Sequence, residues 1–168
     1  MIKLLNIVAG SLICLSGCKI SPDSQNNNWW SKISYESVEK SPKTSALVIG
    51  VENGKKYGHC PGSIIDSNNM FNLLKFYTDN IVLLQDEAAT KDKVISELKN
   101  VVTNDLAVIF YSGHGGSYNF NDEKSKLEED GTDEFLCLYD DYLRDDDIWD
   151  IISQSSGRIF LIFDCCHS

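Results

Sequence analysis

The chain has 168 residues, 42% of them hydrophobic and 24% charged, with a formal charge of −10 at pH 7. That length suits one domain with a buried core, and the composition excludes fibrous and disordered classes. The acidic balance argues against a nucleic-acid-binding surface, because binding a polyanion depends on cations that displace its counterions.

The N-terminus reads as a targeting segment. Lys3 supplies the charged start, and Leu4 to Leu15 is apolar except for Asn6, Gly10 and Ser11. Such a run is too short to span a bilayer, which takes about twenty apolar residues. It closes on Leu15-Ser16-Gly17-Cys18, which resembles a bacterial lipobox and implies cleavage before Cys18 and lipidation of Cys18. The other reading is an ordinary secretory signal with an incidental cysteine. Residues 1–17 are therefore expected to be a lipoprotein signal peptide, and 18–45 a lipidated cysteine and flexible linker rich in Ser, Asn and Lys, with Pro22 and Pro42. Trp29-Trp30 interrupts that linker with a pair suited to packing on the domain. The implied location is the bacterial cell envelope, attached to membrane through the lipid. Lys19 stands where an Asp would retain a lipoprotein in the inner membrane, which implies the outer membrane if the source has two.

The domain is expected over 46–168. Ala46 to Val51 reads as a first strand, followed by a Gly-containing loop through Gly62. Ser63 to Tyr77 predicts a helix with Ile64, Ile65, Phe71, Leu73 and Leu74 roughly on one face, and Ile81 to Leu84 a second strand. Thr90 can N-cap a helix carrying Val94, Ile95, Leu98, Val101 and Val102 at helical spacing. Leu106 to Tyr111 is a third strand, and a polar loop through Gly131 leads to a short strand or hairpin arm over Glu134 to Leu138. Asp145 to Ser153 reads as a helix with acids at its N-terminus, where the macrodipole favours them, ended by Gly157. Arg158 to Phe163 is the fourth main strand. Strands alternating with helices predict an α/β fold with a mostly parallel sheet and right-handed crossovers.

Chemistry concentrates at two strand ends. Tyr111-Ser112-Gly113-His114-Gly115 and Asp164-Cys165-Cys166-His167-Ser168 each follow a continuous apolar run, so a His and a Cys sit at like ends of two strands. In open α/β sheets the carboxyl edge is where ligands bind. A thiol attacks as thiolate and is mostly protonated near its ordinary pKa of about 8.5, so a nucleophilic Cys needs a base such as His114 beside it. Gly113, Gly115 and Gly116 would allow tight turns and close approach of a substrate chain. Consecutive Cys165, Cys166 and His167 are poorly placed to converge on one tetrahedral zinc. Cys60 and Cys137 could pair in an oxidising compartment.

His114 stands 52 residues before Cys166, matching the spacing of about 50 found in caspases. With that spacing the ordered motifs resemble the caspase and metacaspase superfamily, closer to bacterial metacaspase-like proteases than to animal caspases. Ala46 to Val51 resembles the opening strand, Gly62 to Ser67 the Gly-Cys-x-Asn-Asp-Ala segment, and Asp86 to Thr90 the acidic Ala-Thr turn. Ser112 to Gly115 resembles the histidine motif, Asp130-Gly131-Thr132-Asp133-Glu134 the Asp-Gly-Tyr-Asp-Glu motif, and Asp164 to Ser168 the Asp-x-Cys-His-Ser motif. Ser63 and Ile65 depart from the family's Cys and Asn.

The resemblance implies a caspase-like three-layer sandwich and a cysteine endopeptidase with Cys166 as nucleophile and His114 as general base and acid. It implies a pocket of Asp66, Ser112 and Asp164 for a basic residue of a polypeptide substrate; only Arg144 and Arg158 are arginines, neither placed to read an acidic one. No cofactor is implied for the chemistry. Calcium activation is implied through acids after the histidine motif, with Asp130, Asp145, Asp146 and Asp147 as the candidate ligands; a solvated acidic face fits those residues equally. The family fold continues beyond the nucleophile, so 46–168 corresponds to its N-terminal, large-subunit portion. The expectation is a partial or truncated protease, or one completed by a second chain. A caspase-fold interaction protein without turnover is the alternative.

Overall fold

The computed structural model describes residues 2–8, 42–122 and 131–166. Cys18, Trp29-Trp30, Asp130 and His167 lie outside them. In chain order the elements are β1 (Ile2–Val8), β2 (Thr44–Gly50), a short hairpin of β3 (Asn53–Gly54) and β4 (Gly58–His59), α1 (Ser63–Leu74), β5 (Ile81–Gln85), a 3₁₀ turn over Asp86–Ala88, α2 (Lys91–Val101), β6 (Leu106–Ser112), β7 (Gly115–Tyr118), β8 (Asp133–Cys137), β9 (Tyr142–Arg144), α3 (Asp145–Ile152) and β10 (Arg158–Asp164).

The four apolar runs become strands because β-branched and aromatic side chains suit an extended backbone covered on both faces. They form the main sheet in the order β1-β10-β6-β2-β5. β2 runs parallel to both β5 and β6, and β6 parallel to β10, so the sheet is mostly parallel as expected. Its outer strand is the surprise. Ile2–Val8, read from sequence as part of a leader, runs antiparallel along β10 with Ile2 opposite Asp164 and Val8 opposite Arg158. An open edge presents unpaired N–H and C=O groups, and a short β-prone segment is what such an edge takes up. β1 thus lies along the flank of β10 that does not face β6.

Side chains alternate across the sheet. Leu47, Ile49, Ile109, Tyr111, Ile159 and Leu161 join Val94, Leu98 and Val101 of α2 and Ile148, Ile151 and Ile152 of α3 in one core. Ala46, Val48 and Phe110 point the other way and are buried on the face that α1 covers. α1 meets that face differently from expectation: Ser63 and Ser67 are its buried residues, while Ile65 and Leu73 are exposed. The cause lies in Gly50, where a Cβ would stand 2.2 Å from Ser67 Oγ. Small residues on both sides bring helix and strand into close contact and turn the larger apolar residues outward. The helix also stops at Leu74, leaving Phe76 and Tyr77 exposed.

Two helix boundaries have other causes than the sequence suggests. Thr90 occupies the N-cap of α2 but its side chain makes no capping bond; Asp140 Oδ1 accepts from Lys91 N at 2.9 Å instead. α3 ends at Ile152, before Gly157. Gly157 serves the entry to β10, where a Cβ would stand 2.1 Å from the carbonyl oxygen of Asn104. β7, β8 and β9 form a separate antiparallel sheet in which Gly115 pairs with Leu136 and Leu136 with Leu143.

Candidate active site

The register of β6 and β10 brings the two motifs together. Ser112 is opposite Asp164, and Gly113 N donates to Asp164 O at 3.4 Å, the last link before the strands part. His114 follows one residue later on one side and Cys166 two residues later on the other. Both therefore stand at the carboxyl edge of the parallel sheet. Cys166 is exposed.

His114 is held from two sides. Its Nε2 lies 3.2 Å from the backbone carbonyl of His59. A carbonyl only accepts, so Nε2 carries a proton, and whenever the ring is neutral its lone pair lies on Nδ1. The His114 carbonyl accepts from Cys137 N at 2.9 Å and from the Tyr111 hydroxyl at 2.7 Å. His59 closes the β3–β4 hairpin, which Asp86 anchors by accepting from Glu52 N, Asn53 N and Asn53 Nδ2 at 2.7, 2.9 and 2.9 Å. Asp86 adopts a left-handed backbone, φ 41°, to reach them. Burial alone would raise its pKa, but these bonds outweigh it and hold the carboxyl below its ordinary value.

The glycines of the histidine motif serve the protein's own backbone. None of Gly113, Gly115 and Gly116 has positive φ among the described residues. A Cβ on Gly113 would meet the Tyr111 hydroxyl at 2.4 Å, one on Gly115 the Cys166 carbonyl oxygen at 2.2 Å, and one on Gly116 the Phe135 ring at 2.6 Å. What they supply is room, not turn geometry, and the chain approaching Gly115 is Cys165-Cys166 itself.

Of the three expected pocket residues, Ser112 and Asp164 are cross-strand neighbours, with Ser112 buried. Asp66 lies in the first turn of α1, and a Cβ on the left-handed Gly62 would stand 3.7 Å from its Oδ2. The same helix end packs on Gly50, the β2 partner of Ser112, so all three stand at the same sheet edge.

A family model for the metacaspase peptidase C14 domain matches residues 44–168. The chain belongs to the metacaspase family. Metacaspase-1 of Pyricularia oryzae is 33% identical over 147 residues, 75% of this chain and 36% of that protein. Metacaspase-1 of Kluyveromyces lactis is 28% identical over 158 residues, 82% of this chain and 36% of that protein. The crystal structure of GSU0716 from Geobacter sulfurreducens superposes with a TM-score of 0.65 at 29% identity, covering 76% of this chain and 52% of that one. The chain thus spans about a third of the length of the curated metacaspases it matches.

In this metacaspase chain the acidic cluster is organised by basic side chains. Arg144 places Nη1 2.6 Å from Asp122 and Nη2 2.6 Å from Asp133, with Asp146 at 3.8 Å and its guanidinium 4.6 Å from the Phe120 ring. Asp133 is completely buried. Asp147 pairs with Lys91 at 3.8 Å, and Asp145 Oδ1 accepts from Asp146 N. Among the described residues no group of three or more His, Cys, Asp or Glu side chains is arranged to hold a metal ion. Asp145, Asp146 and Asp147 are thus engaged by basic and backbone groups, and Asp130, the fourth candidate, lies outside the described residues.

The metacaspase thiols differ sharply. Among the described residues Cys60 and Cys137 form no disulfide, so the allowed pairing between them is not made. Burial pushes the Cys137 thiol up to about 12. Sequence reasoning missed three contributors to this site: the His59 carbonyl, Tyr111 and the backbone of Cys137. A tyrosine closing an apolar strand could have signalled the second, since a buried tyrosine hydroxyl needs a partner. A carbonyl has no sequence signature.

Proposed function

We propose that this chain carries the nucleophile-bearing part of a cysteine endopeptidase that cleaves polypeptides after Arg or Lys, with Cys166 as nucleophile and His114 as its base. The observation that carries this reading is the junction of β6 and β10, which sets the two motifs side by side while His59 directs the free lone pair of His114 to Nδ1.

The Cys166 thiol gives its proton to His114 Nδ1, and the thiolate attacks the scissile carbonyl carbon. Backbone amides near Gly115 and Cys166 would stabilise the oxyanion. The C–N bond breaks, the amine leaves with the proton from His114, and a thioester remains on Cys166. Water, losing a proton to His114, attacks the thioester and frees the thiol. Asp66 and Asp164 with the Ser112 hydroxyl would bind a cationic side chain and repel an acidic one. We further propose that Cys18 is lipidated and holds the protein to the envelope membrane; the cleavage before Cys18 that this requires would remove Ile2–Val8 from the edge of β10.

The test is hydrolysis of Arg, Lys and Asp peptides by the protein at its full encoded length, with and without calcium, beside Cys166→Ala and His114→Ala. Cleavage after Arg or Lys that is lost in both variants supports the reading. A folded protein inert under every condition favours an interaction role.

A further inference from the structure

Tyr111 is the last apolar residue of β6 and is fully buried, yet its hydroxyl is committed to the site's backbone. The oxygen lies 2.7 Å from the carbonyl of His114 and 2.7 Å from the carbonyl of Cys137. A phenol has one proton and a carbonyl only accepts, so that proton is shared between two acceptors. Cys137 N donates back to the His114 carbonyl at 2.9 Å, which closes a small ring of backbone and hydroxyl groups around the peptide that follows His114.

The surroundings leave the ring little slack. Gly113 lies so near that a Cβ would meet the Tyr111 oxygen at 2.4 Å and its Cζ at 2.8 Å. Leu138 N, next along, donates to Asp141 O at 2.7 Å, so the Cys137 side is itself pinned. Burial pushes the Tyr111 hydroxyl well above its ordinary pKa, and it stays protonated and a donor throughout the range in which a cysteine titrates.

We propose that Tyr111 is a positioning residue for His114: its buried hydroxyl clamps the His114 and Cys137 carbonyls together and so fixes the backbone from which the imidazole reaches Cys166. The His59 carbonyl fixes the ring; Tyr111 fixes the base of the side chain. The proposal rests on the reading of His114 and Cys166 as a working pair. A misplaced base costs the thiol its partner without removing any group that touches substrate.

The readout is the pH midpoint of Cys166 alkylation by iodoacetamide, resolved from Cys165 by fragment masses, in the full-length protein. It reports thiolate and needs no turnover. If His114 serves Cys166, the midpoint in His114→Ala, where the thiol has lost its partner, differs from that of wild type. Tyr111→Phe, studied well below its melting temperature, is expected to move the midpoint at least half of the way to that of His114→Ala while the circular dichroism stays native. Replacement by p-aminophenylalanine, which keeps the ring and gives each carbonyl a proton, is expected to restore the wild-type midpoint.

Wild type and His114→Ala with the same midpoint would overturn the Cys–His pair and the role of Tyr111 with it. A pair that stands while Tyr111→Phe superposes on wild type would overturn the positioning role alone. If Tyr111→Phe does not fold, a shifted midpoint in the folded p-aminophenylalanine protein would overturn it equally.

Discussion

Gly115 lies against the carbonyl oxygen of Cys166, so near that a Cβ would stand 2.2 Å from it. The obstacle is backbone, not a side chain that can swing away. Gly115→Ala is expected to displace the Cys165-Cys166 segment at a stability cost of about 1–3 kcal/mol, and to reduce peptide hydrolysis more than tenfold. Denaturant midpoints and turnover measured on the same preparation check both parts. Full activity in a stable variant would mean that the segment has room elsewhere.

Gly50 supports the site from below. A Cβ there would meet Ser67 Oγ at 2.2 Å and the Ser63 carbonyl at 2.8 Å. Gly50→Ala should therefore lift the first turn of α1, with Asp66, off the sheet edge. The expected loss is about 1–3 kcal/mol by urea unfolding, with a raised KM for Arg substrates if Asp66 binds a basic side chain as proposed. Adding Ser67→Gly should recover part of the stability and little of the KM, because the Ser63 carbonyl remains in the way.

Arg144 faces a carboxylate with no access to water, that of Asp133. Removing one member of a buried pair costs about 3–5 kcal/mol, because the other charge stays behind. Arg144→Met should show a loss of that order in urea, and Arg144→Met with Asp133→Asn a smaller one. A loss under about 1 kcal/mol would put the interaction in the class of surface pairs.

The Asp86 carboxyl is held below its ordinary value in the folded protein by the bonds it accepts from the hairpin. A depressed folded pKa means that this stabilisation is complete above the unfolded carboxylate value and is lost as pH falls through the folded one. The β3–β4 hairpin, with the His59 carbonyl, should loosen in acid. Amide exchange at Glu52 and Asn53, corrected for intrinsic rate, is expected to accelerate on acidification, and Asp86→Asn should flatten that dependence.

Sequence conveyed the strands through which the site is built, because Ala46 to Val51, Leu106 to Tyr111 and Arg158 to Phe163 are apolar runs of a length that leaves few other structures. It placed His114 and Cys166 at like ends of two strands, and the pairing of β6 with β10, which no local pattern shows, is what brings those ends side by side. It failed where small residues decide. The packed face of α1 belongs to Ser63 and Ser67, which carry no hydrophobic signal. β7 begins with two glycines and was hidden for the same reason. The cap of α2 comes from Asp140, 49 residues from the Lys91 amide it serves, beyond the reach of local patterns. Ile2–Val8 was read as part of a leader, and the sheet edge along which it lies is a property of the fold that no local pattern shows.

Asp122 and Asp133 flank residues 123–130 in the sequence, and one guanidinium, that of Arg144, holds both carboxylates. A bound ion in that position would come and go with its concentration. A side chain cannot be diluted or chelated, and arginine keeps its charge at every pH the protein survives. The two carboxylates are therefore buckled together by a fastening that has no dissociation constant. Withdrawing divalent ions leaves this buckle shut, and only acid strong enough to discharge the carboxylates can open it.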